Sequence, residues 1–202
     1  MKNIIINPKI SYDKKRNETN DVIDQALINW LLSNSYKPIV ISNSFSKLTA
    51  NEIMKYFDSL NTRGIVLSGG GNIQKNSPRY TLEKLLIKYS IKKKIPLLGI
   101  CHGMQMIGVY FGIKLKKIKN HVKKVHTLKN KTKEKYPKIV NSYHDLSLVS
   151  CPKDFVITTT SKDDCIESIK HKKVPIEGWM WHPEREKRIK SVHNLRLKKL
   201  FK

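Results

Sequence analysis

One cysteine has a glycine two residues to either side, in Gly99-Ile100-Cys101-His102-Gly103, and no other run in the chain suits nucleophilic chemistry as well. The apolar segment Ile95 to Ile100 precedes it, and Met104, Ile107, Tyr110 and Phe111 follow at helical spacing. That order describes a nucleophile elbow, a sharp strand-to-helix turn that makes the reactive atom protrude at the sheet edge. Glycines on both sides remove side chains that would clash inside such a turn. The helix that follows points its first N–H groups and its dipole at the sulfur, which favours the anion. A buried cysteine flanked by glycines through chance is the bland alternative, uncommon in a chain with 9 glycines in 202 residues.

A thiol nucleophile needs a base to take its proton and a carboxylate to orient that base. Trp181-His182-Pro183-Glu184 follows an apolar run near the C-terminus. In an extended segment, residues two apart project to the same side, so His182 and Glu184 can meet. A lone histidine is more often a surface or core residue, and the carboxylate placed beside this one after a strand shifts that balance. Ser68-Gly69-Gly70-Gly71 also follows a strand. Its bare backbone could offer an N–H to a developing oxyanion, with the His102 N–H as second donor, and a simple tight loop explains it equally well. Asn141-Ser142-Tyr143-His144 is a polar cluster that, taken alone, reads as a turn.

The elements that would position these residues alternate in type through the first half of the chain. Strands are expected at Ile4 to Ile6, Pro38 to Ser42, Arg63 to Leu67 and Ile95 to Ile100, the last central because it is apolar on both faces. Helices are expected at Asn20 to Ser33, Thr49 to Leu60 and Pro78 to Ile91. Thr49 with Glu52 matches a capping box. The alternation predicts an α/β fold with a mostly parallel sheet flanked by helices. Beyond Gly112 the rhythm changes to short strands at Ile113 to Ile118, His121 to Leu128, Phe155 to Thr160, Cys165 to His171 and Val174 to Met180. These complete the sheet and add a small antiparallel appendage. Glu186 to Phe201 reads as a basic terminal helix, and Lys129 to Lys138 as a mobile surface loop. With no repeat or linker, residues 1–202 are expected to form one domain.

Composition narrows the function classes. The formal net charge is +24, yet of the 40 basic residues all but six are lysines, scattered beside abundant Ile and Asn. That mixture is the imprint of AT-rich coding on solvated surfaces, and scarce arginine argues against nucleic-acid recognition as the main function. No apolar run reaches membrane-spanning length, and the N-terminal run is too short for a signal peptide. Three irregularly spaced cysteines make no disulfide framework, so reducing cytoplasm is the expected compartment. His121 and His126 with Cys151 or Cys165 fit no ordinary zinc spacing, so no metal is expected. No phosphate-binding Walker loop is present, and no cofactor is expected.

In their order along the chain, Ser-Gly-Gly-Gly, Gly-Ile-Cys-His-Gly-Met-Gln, Asn-Ser-Tyr-His and Trp-His-Pro-Glu resemble the class I glutamine amidotransferases. The resemblance covers most of the chain and implies their flavodoxin-like fold. It implies a triad of Cys101, His182 and Glu184 that cleaves a γ-glutamyl amide through a γ-glutamyl thioester. It also implies an oxyanion hole from Gly70 and the His102 backbone, with Gly71, Gln105, Ser142, Tyr143 and His144 binding the glutamyl group. Val140 to His144, and Arg79 with Glu83, look most like the γ-glutamyl hydrolase (peptidase C26-like) branch, whose members act without a synthetase. Short members of that branch occur in bacterial capsule clusters, which suggests a γ-glutamyl-CDP-amidate hydrolase. The alternative is a glutaminase subunit supplying ammonia to a separate synthetase. Asn72 stands where the branch commonly has Asp, and Asp145 where Gln or His is usual, which bears on the leaving group rather than on the triad.

Overall fold

In the computed structural model, which describes residues 1–202, the apolar triplet Ile4-Ile5-Ile6 lies inside β1 (Lys2–Asn7). The chain continues through a hairpin of β2 (Lys9–Asp13) and β3 (Glu18–Val22), then α1 (Gln25–Ser33), β4 (Tyr36–Val40) and a 3-10 turn over Asn43–Lys47. Next come α2 (Ala50–Ser59), β5 (Thr62–Leu67), α3 (Pro78–Lys93), β6 (Leu97–Ile100) and α4 (His102–Tyr110). The second half holds β7 (Leu115–Lys117), β8 (Val122–Thr127), β9 (Lys129–Asn130), β10 (Ile139–Tyr143) and β11 (Leu146–Leu148). It closes with β12 (Phe155–Thr160), β13 (Ile166–His171), β14 (Ile176–Trp179) and α5 (Ser191–Leu200).

Eight strands form one sheet in the order β4-β1-β5-β6-β14-β13-β12-β9. The first five are mutually parallel, and β13, β12 and β9 extend the sheet antiparallel. Strand alternation splits the core in two. Ile5, Ile65, Leu67 and Leu97 pack with Ile53 and Phe57 of α2, Leu82 and Leu86 of α3, and Ile107 of α4. Ile4, Ile6, Val66, Leu98 and Ile100 face the other way, onto Leu27 and Trp30 of α1 and Leu197 and Phe201 at the C-terminus. Both faces of the parallel half are therefore covered, as β6 with all four residues buried requires. Pairs β8–β10 and β7–β11 form two small antiparallel sheets beside this frame.

Local chemistry explains most helix starts. The Thr49–Glu52 capping box is present, and Ser77 caps α3 with Pro78 in its first turn. The expected helix from Asn20 instead begins at Gln25, after an Asp24 cap. Asn20 to Val22 belong to β3 because the preceding chain folds back on itself. Asp13 accepts from the Lys15 and Arg16 amides, and Asn17 takes a left-handed φ of 53°, which closes a hairpin whose strands pair from Lys9–Val22 to Asp13–Glu18. The lysine-rich stretch expected to be a mobile loop is anchored at several points. Lys129–Asn130 pairs with β12, Tyr136 is buried with Arg196 packed 3.7 Å over its ring, and Glu134 bonds Lys170, Lys199 and Arg196. The terminal helix starts only at Ser191. No helix is long and apolar enough to cross a membrane.

Candidate active site

Cys101 sits where β6 ends and α4 begins, with φ 49° and ψ −101°, a backbone state rare for a residue with a side chain. The Cys101 N–H donates to the Trp179 carbonyl at 2.8 Å, which ties the turn to the neighbouring strand β14. The flanking glycines are required by space. A Cβ on Gly99 would lie 2.5 Å from the Gly103 backbone, and one on Gly103 would lie 2.3 Å from the Leu67 carbonyl oxygen. Cys101 itself carries the left-handed conformation. The His102 amide heads α4, where the first N–H groups have no partner within the helix.

β14 runs parallel beside β6, so the segment after Trp179 arrives next to the elbow. His182 Nδ1 lies 2.7 Å from Glu184 Oε1, both side chains nearly inaccessible, and the imidazole borders the same cleft as Cys101. The pair meets through a 3-10 turn over Pro183–Arg185 rather than through the extended segment expected. Burial disfavours a charged His182, but the nearby Cys101 sulfur and the bonded Glu184 carboxylate outweigh it and raise its pKa to about 9. The imidazole is thus poised to hold a proton taken from the thiol. Gly69 leaves room for this ring, since a Cβ there would lie 2.4 Å from His182 Cε1.

Asn141, in a segment that alone resembled a turn, clamps the backbone of His182. Its Nδ2 donates to the His182 carbonyl at 2.6 Å, and its Oδ1 accepts the His182 N–H at 2.9 Å. Because the segment is strand β10, its side chains alternate. Asn141 and Tyr143 face His182, with the Tyr143 and His182 rings 5.9 Å apart. Ser142 and His144 turn the other way. The Ser142 hydroxyl donates to the His121 carbonyl, so the expected contact of that side chain with substrate finds no support.

A cleft of about 120 Å³ opens on Cys101 and His182. Gly70, Gly71 and Asn72 of the glycine loop border it, as do Gln105 of α4 and Tyr143, His144 and Asp145 at the end of β10. Arg185, which the motifs did not single out, also borders it and packs 5.4 Å over the Tyr143 ring. The His144 ring itself is bonded elsewhere, through Nδ1 to the Leu146 carbonyl.

A buried network holds the glycine loop. Arg79 donates to the Ser68 and Gly70 carbonyls and, through Nε, to Glu83 at 2.9 Å. His102 bonds the Gly71 carbonyl and Glu83, and Asn7 donates to Glu83 and accepts the Ser68 N–H. Burial pushes the Glu83 carboxyl up, yet His102, Arg79 and Asn7 hold it below the ordinary carboxylate range. With the Gly70 carbonyl turned to Arg79, the planar peptide puts the Gly71 N–H on its opposite edge. Gly70 and Gly71, with φ of 89° and 75°, border the cleft.

Outside the cleft, His121 and His126 do meet, but not with a cysteine. They converge with His144 and Glu167, and neither Cys151 nor Cys165 is a member of the group.

The arrangement can do acyl-transfer chemistry: a thiol at a helix head, a base within its reach, a carboxylate orienting the base, and amide donors nearby. Comparison with known proteins agrees. Residues 18–199 match the family model for glutamine amidotransferase class-I. The γ-glutamyl-CDP-amidate hydrolase of Campylobacter jejuni is 37% identical over 140 residues, covering 66% of this chain and 68% of that protein. Anthranilate synthase component 2 of Thermococcus kodakarensis is 31% identical over 135 residues, covering 62% and 67%. Among solved structures, a Thermoplasma acidophilum protein provisionally assigned as a GMP synthase subunit superimposes with a TM-score of 0.74 at 20% identity, over 100% of this chain and 92% of that one.

Proposed function

The chain belongs to the class I glutamine amidotransferase family, as a hydrolase acting on C–N bonds, and from that premise we propose that it cleaves a γ-glutamyl amide unaided, with γ-glutamyl-CDP-amidate as substrate. The observation that carries the reading is that Cys101 and His182 line one cleft within a single chain, with the imidazole bonded to Glu184. Cys101 Sγ attacks the γ-carbonyl carbon as its proton passes to His182. Collapse of the tetrahedral species breaks the C–N bond, and His182 gives that proton to the leaving nitrogen. Water, deprotonated by His182, then attacks the γ-glutamyl thioester, releasing glutamate and restoring the thiol. Gly70, Gly71 and His102 amides stabilise the oxyanion at both stages.

Similarity to the Campylobacter protein supports the nucleotide leaving group, and so does the β2–β3 hairpin. Ile10, Tyr12 and Thr19 line a cavity of about 590 Å³ that shares Gly71 and Asn72 with the cleft. The Lys9 side chain lies against Gly70, and Tyr12 is exposed. An exposed aromatic ring can stack a base, and cations beside the cleft suit a diphosphate.

Similarity to named synthase components favours the second reading, a glutaminase that supplies ammonia to a partner. Glutamate release from glutamine, simple γ-glutamyl amines and a γ-glutamyl nucleotide phosphoramidate separates the two. Turnover of the phosphoramidate by the purified chain, lost in Cys101→Ala, is the expected result. No release from any substrate until a synthetase is added would overturn it.

A further inference from the structure

We propose that His121, His126, His144 and Glu167 form a zinc site, with His121 Nδ1, His126 Nδ1, His144 Nε2 and a Glu167 carboxylate oxygen as its ligands. One candidate ligand atom from each residue lies within 4.8 Å of all the others. Glu167 Oε1 is 3.1 Å from His126 Nδ1, 3.4 Å from His144 Nε2 and 3.6 Å from His121 Nδ1. Tetrahedral zinc with bonds of about 2.0–2.1 Å has ligands about 3.3–3.4 Å apart, so the three distances to Glu167 fit the edges of such a site, and the histidine nitrogens, within 4.8 Å of one another, would draw together on the ion. Glu167, His121 and His144 are buried, and His126 nearly so.

Hydrogen bonding makes the case for a cation independently. The Leu146 carbonyl can only accept, so His144 Nδ1, 3.1 Å away, is its donor. In a neutral ring that leaves Nε2 as a bare lone pair aimed at the Glu167 carboxylate. Asp163 Oδ2, 2.9 Å from His121 Nε2, does the same to His121 and leaves its Nδ1 bare. Those two nitrogens and Glu167 Oε2 are buried atoms without a hydrogen-bond partner. Lone pairs converging on an anionic oxygen repel unless a positive charge lies between them. Three imidazoles around one carboxylate could share it as imidazolium ions, but that packs up to three positive rings about a single negative charge. His121 and His126 have ring centroids only 4.1 Å apart. One divalent ion satisfies every bare atom with the rings neutral. A carboxylate on one ring and a backbone carbonyl on another are also the outer partners that fix ligand tautomers around metals.

Three neutral imidazoles and one carboxylate at tetrahedral edges favour zinc over the harder, oxygen-seeking cations. A cleft lined by Asn120, His121, His126 and Asp163 gives the ion a path from solvent. The ligands come from the turn before β8, from β8, from the end of β10 and from β13, so the ion would bind the small β8–β10 sheet to the central one. It would hold His144 immediately beyond Tyr143, which borders the catalytic cleft.

The test uses untagged full-length protein in a Cys101→Ala background, so that the cleft thiol cannot supply the metal. After removal of metal by a chelator, zinc is added back, and the bound ion is counted by elemental analysis following desalting. Cobalt(II) reports coordination through its visible bands. One zinc per chain, a tetrahedral cobalt spectrum, and a melting temperature that rises by about 5 °C or more with zinc are expected. His126→Ala, on the least buried ligand, should weaken zinc at least 100-fold, as should Glu167→Gln, while His171→Ala keeps the full stoichiometry. Should Glu167→Gln fail to fold, His126→Ala decides. Zinc below about 0.1 per chain at saturating concentration, or full zinc retained by His126→Ala, overturns the site.

Discussion

Two histidine–carboxylate groups lie on opposite sides of Tyr143 in this chain, and they differ in stoichiometry. At the cleft one imidazole shares the lining with a single thiol and bonds a single carboxylate, Glu184. In the appendage three imidazoles surround Glu167, and two of their nitrogens lie beside it without a hydrogen-bond partner. A balanced pair is suited to moving a proton, whereas an excess of lone pairs is suited to holding a cation. The alternation of β10 assigns residues to each, with Asn141 and Tyr143 on the first and Ser142 and His144 turned towards the second.

The largest expected effect lies in the first group. Cys101→Ala should lower glutamate release by about 10⁴-fold or more, and His182→Ala should cost nearly as much. Because the two act as a unit, the double variant should be no worse than the cysteine variant alone. Losses that multiply in the double variant, measured as kcat, would show that they act separately and break the pairing inferred here.

Glu83 tests whether the glycine loop is a part of that machinery or merely its neighbour. Glu83→Gln leaves Arg79 and the His102 ring buried without their carboxylate, which costs about 3–5 kcal/mol in stability. Denaturant unfolding should register that loss, together with a fall in kcat as the Gly70 and Gly71 amides lose their alignment. Unchanged turnover in the folded fraction would confine the network to a structural part.

How far each region could be read from sequence follows the same division. The cleft was legible because its chemistry lies in short runs at the ends of adjacent parallel strands. Cys101 with its glycines, and His182 with Glu184, each carry their own local signal. The parallel half was legible because its strands are buried on both faces and its helices carry local caps, such as Thr49 with Glu52. The hairpin from Lys9 to Val22 was missed, since its strands are exposed and polar and carry no hydrophobic period. Asn141 was passed over because its two bonds to His182 span 41 residues. The Glu167 group was illegible for that reason as well. It is assembled from four separated positions, and the spacing of His121 and His126 against the cysteines carries no sign of it.

Glu184→Gln should be milder than the changes above, about 10–100-fold in kcat, because Glu184 orients His182 rather than reacting. The pH dependence of stability sharpens the point. His182 binds its proton more tightly folded, with a pKa near 9, than at its ordinary value of 6.5. Between those values the folded state carries more protons, so raising the pH weakens it. The stability that His182 contributes is full below about pH 6.5 and lost as pH rises through about 9. Chemical denaturation of wild type and His182→Gln across that window should converge at the alkaline end. A gap that widens with pH would contradict the charge assigned to the pair.

Asp163 is the counterpart of Glu184 in the second group, a carboxylate orienting an imidazole from outside, and there the smallest effect is expected. Its side chain is 63% exposed, against 3% for Glu184. Asp163→Asn keeps an oxygen that can accept the His121 Nε2–H, so the bare Nδ1 still faces Glu167. Exposed charge pairs contribute about 0–1 kcal/mol, and stability without zinc should change by no more than that. Zinc affinity should fall about 10-fold, the low end for an outer partner, as measured by competition with a chromogenic chelator. A loss of 1000-fold would place Asp163 on the ion itself. No loss at all would mean that the ring is oriented by packing against His126 rather than by its carboxylate.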